Sequence, residues 1–151
     1  MRREGLRHRP PLNLGLELAS MIGRVPLFAG LNAAGVVEVA ALLRAHIAIP
    51  DEKVVAAGRP ADAMYFIAGG SVTVKRGGPV VLHEGDFFGE MGLLTEQPRN
   101  ADVVANGYCH LLSLTKRDFN RLLKARPELR AGIEAVARQR LGASAVDSST
   151  A

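Results

Sequence analysis

The period of the apolar positions changes twice along the chain, and these two changes divide it. From Leu12 onward, apolar residues recur at Leu14, Leu18, Met21, Ile22 and Val25, the spacing of a helix with one buried face. The pattern predicts a helix over 16–23, ending before Pro26, because proline cannot continue one. Val36, Val37, Val39, Ala40, Leu42 and Leu43, set against Glu38 and Arg44, predict a second helix over 34–45 with Asn32 as its cap. From Ile47 to Leu114 the helical period disappears, and turn residues interrupt every few positions. Short strands are expected at 46–49, 53–56, 63–68, 71–75, 80–83, 101–105 and 110–114. Ser71-Val72-Thr73-Val74-Lys75 alternates polar and apolar, as a half-buried strand does. Gly69-Gly70 and Gly77-Gly78-Pro79 supply hairpin turns. After Thr115 the helical period returns. Asp118, Phe119, Leu122 and Leu123 mark a helix to about 125, and Pro127 opens another with Leu129, Ile133, Val136 and Ala137 on one face, which Gly142 is expected to stop. Many short strands with glycine-rich turns imply a sandwich or jelly roll. With the helices on either side, the class is α+β.

A chain of 151 residues with 48% apolar content suits one soluble domain with a real core. No apolar run approaches the length of a membrane span, and no signal-peptide pattern opens the chain. The expectation is a cytoplasmic module, which a membrane-embedded parent could carry. The formal net charge is +4, and part of the excess lies in Arg2, Arg3, Arg7 and Arg9. Residues 1–11, closing on Pro10-Pro11, are expected to be a basic linker, 12–142 the domain, and 143–151, small and polar, a disordered tail. The single cysteine, Cys109, excludes an internal disulfide and reads as a small core residue. His8, His46, His83 and His110 are scattered singly, so no metal site is expected. No Ser-His-Asp set, P-loop or cysteine pair is present, and an enzyme is not expected.

The stretch that carries chemistry runs from Gly85 to Val104. Gly89 can bring main-chain N–H groups close to a ligand. A helix of little more than one turn is expected over 90–94, because Pro98 forbids a longer one, and its N-terminus suits an anion. Arg99, set between Pro98 and an apolar strand, suits bidentate phosphate binding. Glu90 is an acceptor, an odd companion for a bare phosphate but a sensible one for a ligand that also carries a hydroxyl.

Phe88-Gly89-Glu90-Met91-Gly92-Leu93 followed by Pro98-Arg99-Asn100-Ala101-Asp102-Val103 resembles the phosphate-binding cassette of cyclic-nucleotide-binding domains. The resemblance extends over about residues 20–142. It implies an eight-stranded β jelly roll (β-roll) holding a short phosphate-binding helix, flanked by N-terminal helices and two C-terminal helices. It implies a ligand, cAMP or cGMP, and no cofactor. By resemblance, Glu90 binds the ribose 2′-hydroxyl and Arg99 the cyclic phosphate. Phe88, Gly89, Met91, Gly92, Asn100 and Ala101 complete the cradle. Asn100 departs from the family pattern, where Ser, Thr or Ala is usual, and leaves base selectivity open, with cAMP favoured as the commoner bacterial ligand.

In the family the last helix moves to cap the base. Arg138 and Arg140 are the candidates to meet the purine here, Arg140 first. Phe87, Leu93 and Val81 are read either as pocket walls or as plain core. The basic N-terminal stretch and the turn Val25-Pro26-Leu27-Phe28-Ala29-Gly30-Leu31 are similar to domains that follow the last membrane helix of bacterial cyclic-nucleotide-gated potassium channels or of cation/proton antiporters. The implied partners are the nucleotide and the transmembrane transport domain of an inner-membrane parent, with homo-oligomerisation through that parent and no nucleic acid. The competing reading is a transcription regulator of the cAMP-receptor type cut short before its DNA-binding domain.

Overall fold

The computed structural model describes residues 18–150, and the side chains as far as Leu141. The expected basic linker and the opening of the first helix therefore lie outside the described residues. Eight strands form two antiparallel four-stranded sheets. Arg44–Ala48 (β1), Cys109–Thr115 (β8), Ala63–Gly69 (β3) and Phe87–Phe88 (β6) make one, in the order β1-β8-β3-β6. Lys53–Val55 (β2), Asp102–Ala105 (β7), Ser71–Arg76 (β4) and Gly78–His83 (β5) make the other, in the order β2-β7-β4-β5.

β3 and β8 explain why their sequences read as nearly unbroken apolar runs: the sheet they share is covered on both faces. Ile67 and Leu111 face the second sheet, where they join Ala48, Val55, Val72, Phe88, Val103 and Ala105. Met64, Phe66, Leu112 and Leu114 face the other way, onto a helical layer built from Ile22, Val25, Phe28, Val39, Phe119, Leu122 and Ile133. That layer comprises residues 18–23 (α1), a 3-10 turn Pro26–Phe28, Ala33–Ala40 (α2), Lys116–Ala125 (α4) and Pro127–Thr150 (α5). Glu90–Thr95 (α3) packs on β3 and α5, with Leu93 in the core on the helical side. Cys109 is buried and free, its Sγ 3.0 Å from the Ser71 carbonyl oxygen.

The structure departs from the sequence expectation at several edges. α2 ends at Ala40 rather than near 45, because Arg44 and Ala45 pair with Ser113 and Leu112 as the start of β1. A ladder partner distant in sequence outweighs the local helical period there. Asn32 does cap α2, its side chain accepting from the Gly35 N–H at 2.8 Å. Val37, expected on the apolar face, is exposed. β5 begins at Gly78, so Pro79 stands in the strand opposite Lys75. It is tolerated because β5 is an edge. β6 is two residues long and gives no periodicity to read.

α5 runs through Gly142 to Thr150, where a stop and then a disordered tail were expected. One glycine inside a helix costs only about 1 kcal/mol relative to alanine. Here it is followed by Ala143 and Ala145, so the helix continues.

Candidate functional site

The β6–α3 turn sets the geometry. Gly89 has φ +89°, a left-handed conformation that reverses the chain between strand and helix. A Cβ at Gly89 would meet Arg99 Nη1 at 2.9 Å and the Ala63 carbonyl oxygen at 3.1 Å. The guanidinium of Arg99 is packed beneath this turn. Its Nη1 donates to the Gly89 carbonyl at 3.0 Å and its Nη2 to the Ala63 carbonyl at 2.5 Å, with Asp62 Oδ1 3.4 Å from Nη2. Arg99 is only 8% exposed. Its main chain is pinned as well: the Gly58 N–H donates to Arg99 O, and the Arg99 N–H donates to Arg59 O, both at 2.8 Å.

Gly92, one turn along α3, is required for a different reason. A Cβ there would lie 2.3 Å from Ala61 Cβ, so only glycine lets the helix approach the segment leading into β3.

Glu90 opens α3 and is 1% exposed. Its Oε1 accepts from Arg140 Nη1 at 2.7 Å. Its Oε2 is buried without a hydrogen-bond partner. A carboxylate oxygen out of contact with both water and donor is costly, and such an atom marks a place where a donor fits. Arg140 reaches Glu90 from α5. Its Nη2 also donates to the Phe87 carbonyl at 2.6 Å, and its guanidinium lies 5.3 Å from the centre of the Phe87 ring.

These groups line one cavity of about 710 Å³ between the second sheet and the cassette. All nine residues singled out from the sequence border it: Phe88, Gly89, Glu90, Met91, Gly92, Arg99, Asn100, Ala101 and Arg140. Arg138, the alternative to Arg140, is exposed and does not border it.

Of the two readings of Phe87, Leu93 and Val81, walls or core, the first holds for none of them. Val55, Val74, Val80, Leu82 and Val103 form the apolar side together with Phe88. Phe87 and Leu93 belong to the core on the helical side, the second of those readings, and Val81 does not border the cavity. Register gives the reason. Val80 and Leu82 pair with Val74 and Val72, whose side chains point into the roll, whereas Val81 pairs with Thr73 on the outer face. The alternation along β4 carried this information, but it fixes β5 only once the hairpin register is known. Phe88 is held from behind by Tyr65, the two rings stacked with centroids 5.1 Å apart. Burial pushes the Tyr65 phenol above its ordinary range, and the nearby Asp62 carboxylate adds to this.

Asp102 is a positioning residue that sequence reasoning passed over. Its Oδ1 accepts from the Ala57 N–H at 2.7 Å, and Lys53 Nζ lies 3.4 Å from Oδ2. The Ala57 turn is the one whose next residues, Gly58 and Arg59, hold the Arg99 backbone. The Ala57 hydrogen bond, aided by Lys53, keeps the Asp102 carboxyl below its ordinary range. A lowered folded-state value contributes stability that is present above the unfolded aspartate range, about 3.9, and is lost as pH falls through the folded value. Asp102→Asn is therefore expected to lower the urea midpoint at neutral pH, with the deficit against the parent shrinking as the pH is taken into the acid range. Paired urea titrations at several pH values measure it.

Residues 49–126 match the family model for the cyclic nucleotide-binding domain. The chain belongs to the cyclic nucleotide-binding domain family. It is 39% identical over 125 residues to a cyclic nucleotide-gated potassium channel of Mesorhizobium japonicum, an alignment covering 83% of this chain and 35% of the channel. The domain thus spans about a third of that relative's length. Among solved structures, it resembles the catabolite activator protein of Thermus thermophilus at 29% identity with a TM-score of 0.72, covering 81% of this chain and 61% of the other. It also resembles the regulatory domain of Toxoplasma gondii PKA crystallised with cAMP, at 25% identity with a TM-score of 0.69, covering 87% of this chain and 51% of the other. In this cyclic nucleotide-binding domain the matched region contains both Glu90 and Arg99. No helix among the described residues is long and apolar enough to cross a membrane.

Proposed function

We propose that the domain binds a purine nucleoside 3′,5′-cyclic monophosphate in the 710 Å³ cavity, and that it serves as the regulatory module of a membrane ion channel or cation/proton antiporter. The observation that carries this reading is the pairing of two buried, oppositely charged groups on one cavity. Arg99, whose Nη1 and Nη2 are held by the Gly89 and Ala63 carbonyls, offers its charge and its remaining N–H groups to a phosphate, and Glu90 offers an unpartnered oxygen to a ribose hydroxyl. The first-turn N–H groups of α3 lack intrahelical partners, as in any helix, and favour an anion beside Arg99. The apolar wall of Val74, Val80, Leu82 and Val103 suits a purine face. Asn100 borders the cavity with both donor and acceptor capacity.

cAMP is the preferred ligand over cGMP. The cAMP in the Toxoplasma gondii structure supports this choice, and the resemblance to a potassium channel supports a transport parent. α5 touches the cavity through Arg140 and packs on α4 and the 3-10 turn. Binding therefore acts on the position of this helix, and a shift between its two positions is the signal passed to the parent.

Mass action gives a simple test. A ligand that binds only the folded state at about 100 times its Kd stabilises by roughly 2.7 kcal/mol. A thermal-shift panel of cAMP, cGMP, 5′-AMP and inorganic phosphate is expected to raise the melting temperature by several degrees with cAMP, less with cGMP, and not with the linear nucleotide or phosphate. Equal shifts with 5′-AMP and cAMP would reject a cyclic-phosphate site.

A further inference from the structure

The two sheets have four edge strands, and three of them are blunted. β6 is two residues long. β2 is three residues long, and its register shifts between Lys53 and Val55. β5 carries Pro79, which has no N–H to offer a further strand. Short strands, irregular register and proline are the devices by which edges avoid pairing with other chains. β1 has none of them. It is five residues long, pairs with β8 in unbroken register from Arg44 to Ala48, and contains neither proline nor lysine. Its other side is open. Among the described residues, no backbone group of Arg44–Ala48 bonds outside the β1–β8 ladder. Every second residue of an antiparallel edge strand turns its N–H and C=O away from the ladder, so β1 presents a row of unpaired donors and acceptors.

The side chains suit this edge to a partner. Ala45 and Ile47 pair with Leu112 and His110 and stand on the helical face of the sheet, but the helical layer does not cover Ile47, which is 63% exposed. Ile49, directly after the strand, is 56% exposed. The charges lie at opposite ends. Arg44 opens β1, is exposed and has no ion-pair partner among the described residues. Asp51 and Glu52 follow its end. Glu52 Oε1 accepts from the Ile49 N–H at 3.1 Å, which keeps that carboxylate beside the strand.

We propose that β1 is a docking edge for a second copy of this chain, the two strands pairing antiparallel about a two-fold axis at Ile47 and joining two four-stranded sheets into one. That register sets Ile47 against its copy, Ala45 against Ile49, and Arg44 against Pro50, next to Asp51 and Glu52. Apolar side chains then meet on one face, and the arginine at each end meets the acidic pair of the other copy. A register centred on His46 would set two imidazoles together and Arg44 against Ala48, and the charge match would be lost. A strand of another sequence would find the same backbone groups without this complement, so the occupant is a copy. The interface is self-complementary and closed. β1 borders no part of the cavity, which stays open in the dimer.

Sedimentation equilibrium of the 151-residue chain over a range of concentrations is expected to show a reversible monomer–dimer equilibrium. Ile47→Lys sets two like charges at the axis and removes two apolar contacts. It is expected to weaken dimerisation roughly tenfold or more, with an unchanged circular-dichroism spectrum. Arg44→Glu places like charges together and is expected to weaken the dimer as well; it also serves if Ile47→Lys does not fold. Adding Glu52→Arg to Arg44→Glu restores the opposite pairing and should recover most of the affinity. Ile47→Cys should give a disulfide-linked dimer on mild oxidation, whereas the parent, whose one cysteine is buried, should give none. A parent of monomer mass at every concentration would overturn the proposal. So would a dimer that Ile47→Lys leaves intact, or a charge-swapped double variant no better than Arg44→Glu alone.

Discussion

Arg99→Ala is expected to weaken cyclic-nucleotide binding by roughly thirty-fold to several thousand-fold, the equivalent of about 2–5 kcal/mol for removing one partner of a desolvated charge pair. The size of the loss follows from how the side chain is held. Only 8% of Arg99 is exposed, and its nitrogens are tied to the Gly89 and Ala63 carbonyls, so it needs little further ordering when an anion arrives. Alanine removes the charge and also frees those carbonyls. Losing a buried polar partner costs about 1–3 kcal/mol, which a domain of ordinary stability survives. The variant should therefore fold, with a lowered melting temperature. Arg99→Lys separates charge from geometry. It keeps the cation but cannot hold both carbonyls and a phosphate, and its affinity should fall between parent and alanine. Calorimetric affinities for the three proteins, together with their melting temperatures, give the order. Unchanged affinity in Arg99→Ala would remove this residue from the site.

Gly92→Ala is expected to lower the stability of the domain markedly. The added carbon would sit 2.3 Å from Ala61 Cβ and 3.2 Å from the Gln97 carbonyl oxygen, neither of which is the end of a flexible side chain. Overpacking of this kind costs about 1–3 kcal/mol, or roughly 3–10 °C in melting temperature for a domain of this size. Because α3 must back away from Ala61, Glu90 moves with it, and nucleotide affinity should drop in parallel. Ala61→Gly supplies the control, since it removes the opposing carbon. In the double variant much of both losses should be recovered, a coupling expected only for residues in direct contact. Losses that simply add in the double variant would show that Gly92 is needed for something other than this approach.

The cassette was legible from the sequence because its demands are local. Gly89 takes a positive φ, Pro98 limits the length of the helix, and Glu90 and Arg99 stand at fixed separations from both; all lie within residues 89–99. The strands of the roll were legible from alternation and turn glycines, and α4 and α5 from their period. What escaped depends on partners distant in sequence. Arg44 and Ala45 became strand because β8 offered them a ladder. Phe87-Phe88 is too short to show a period, yet its two side chains divide between the two cores, Phe87 to the helices and Phe88 to the cavity. Val81 and Val80 are indistinguishable as residues, and only the hairpin register decides which faces inward. Asp102 occupied a position the motif leaves open, and its role emerges from a hydrogen bond to Ala57, 45 residues earlier. Arg140 could be placed near the site from the sequence, but its grip on Glu90 could not, since that depends on how α5 packs against the roll.

The role of α5 and the choice of nucleotide both depend on the claim that Glu90 and Arg99 together hold a cyclic nucleotide. Calorimetric titration of the purified domain with cAMP and with cGMP tests that claim most directly. Saturable one-to-one binding, tighter for cAMP and abolished as a tight interaction by Arg99→Ala, is the expected result. A folded domain that takes up neither nucleotide, by heat or by competition, would contradict it.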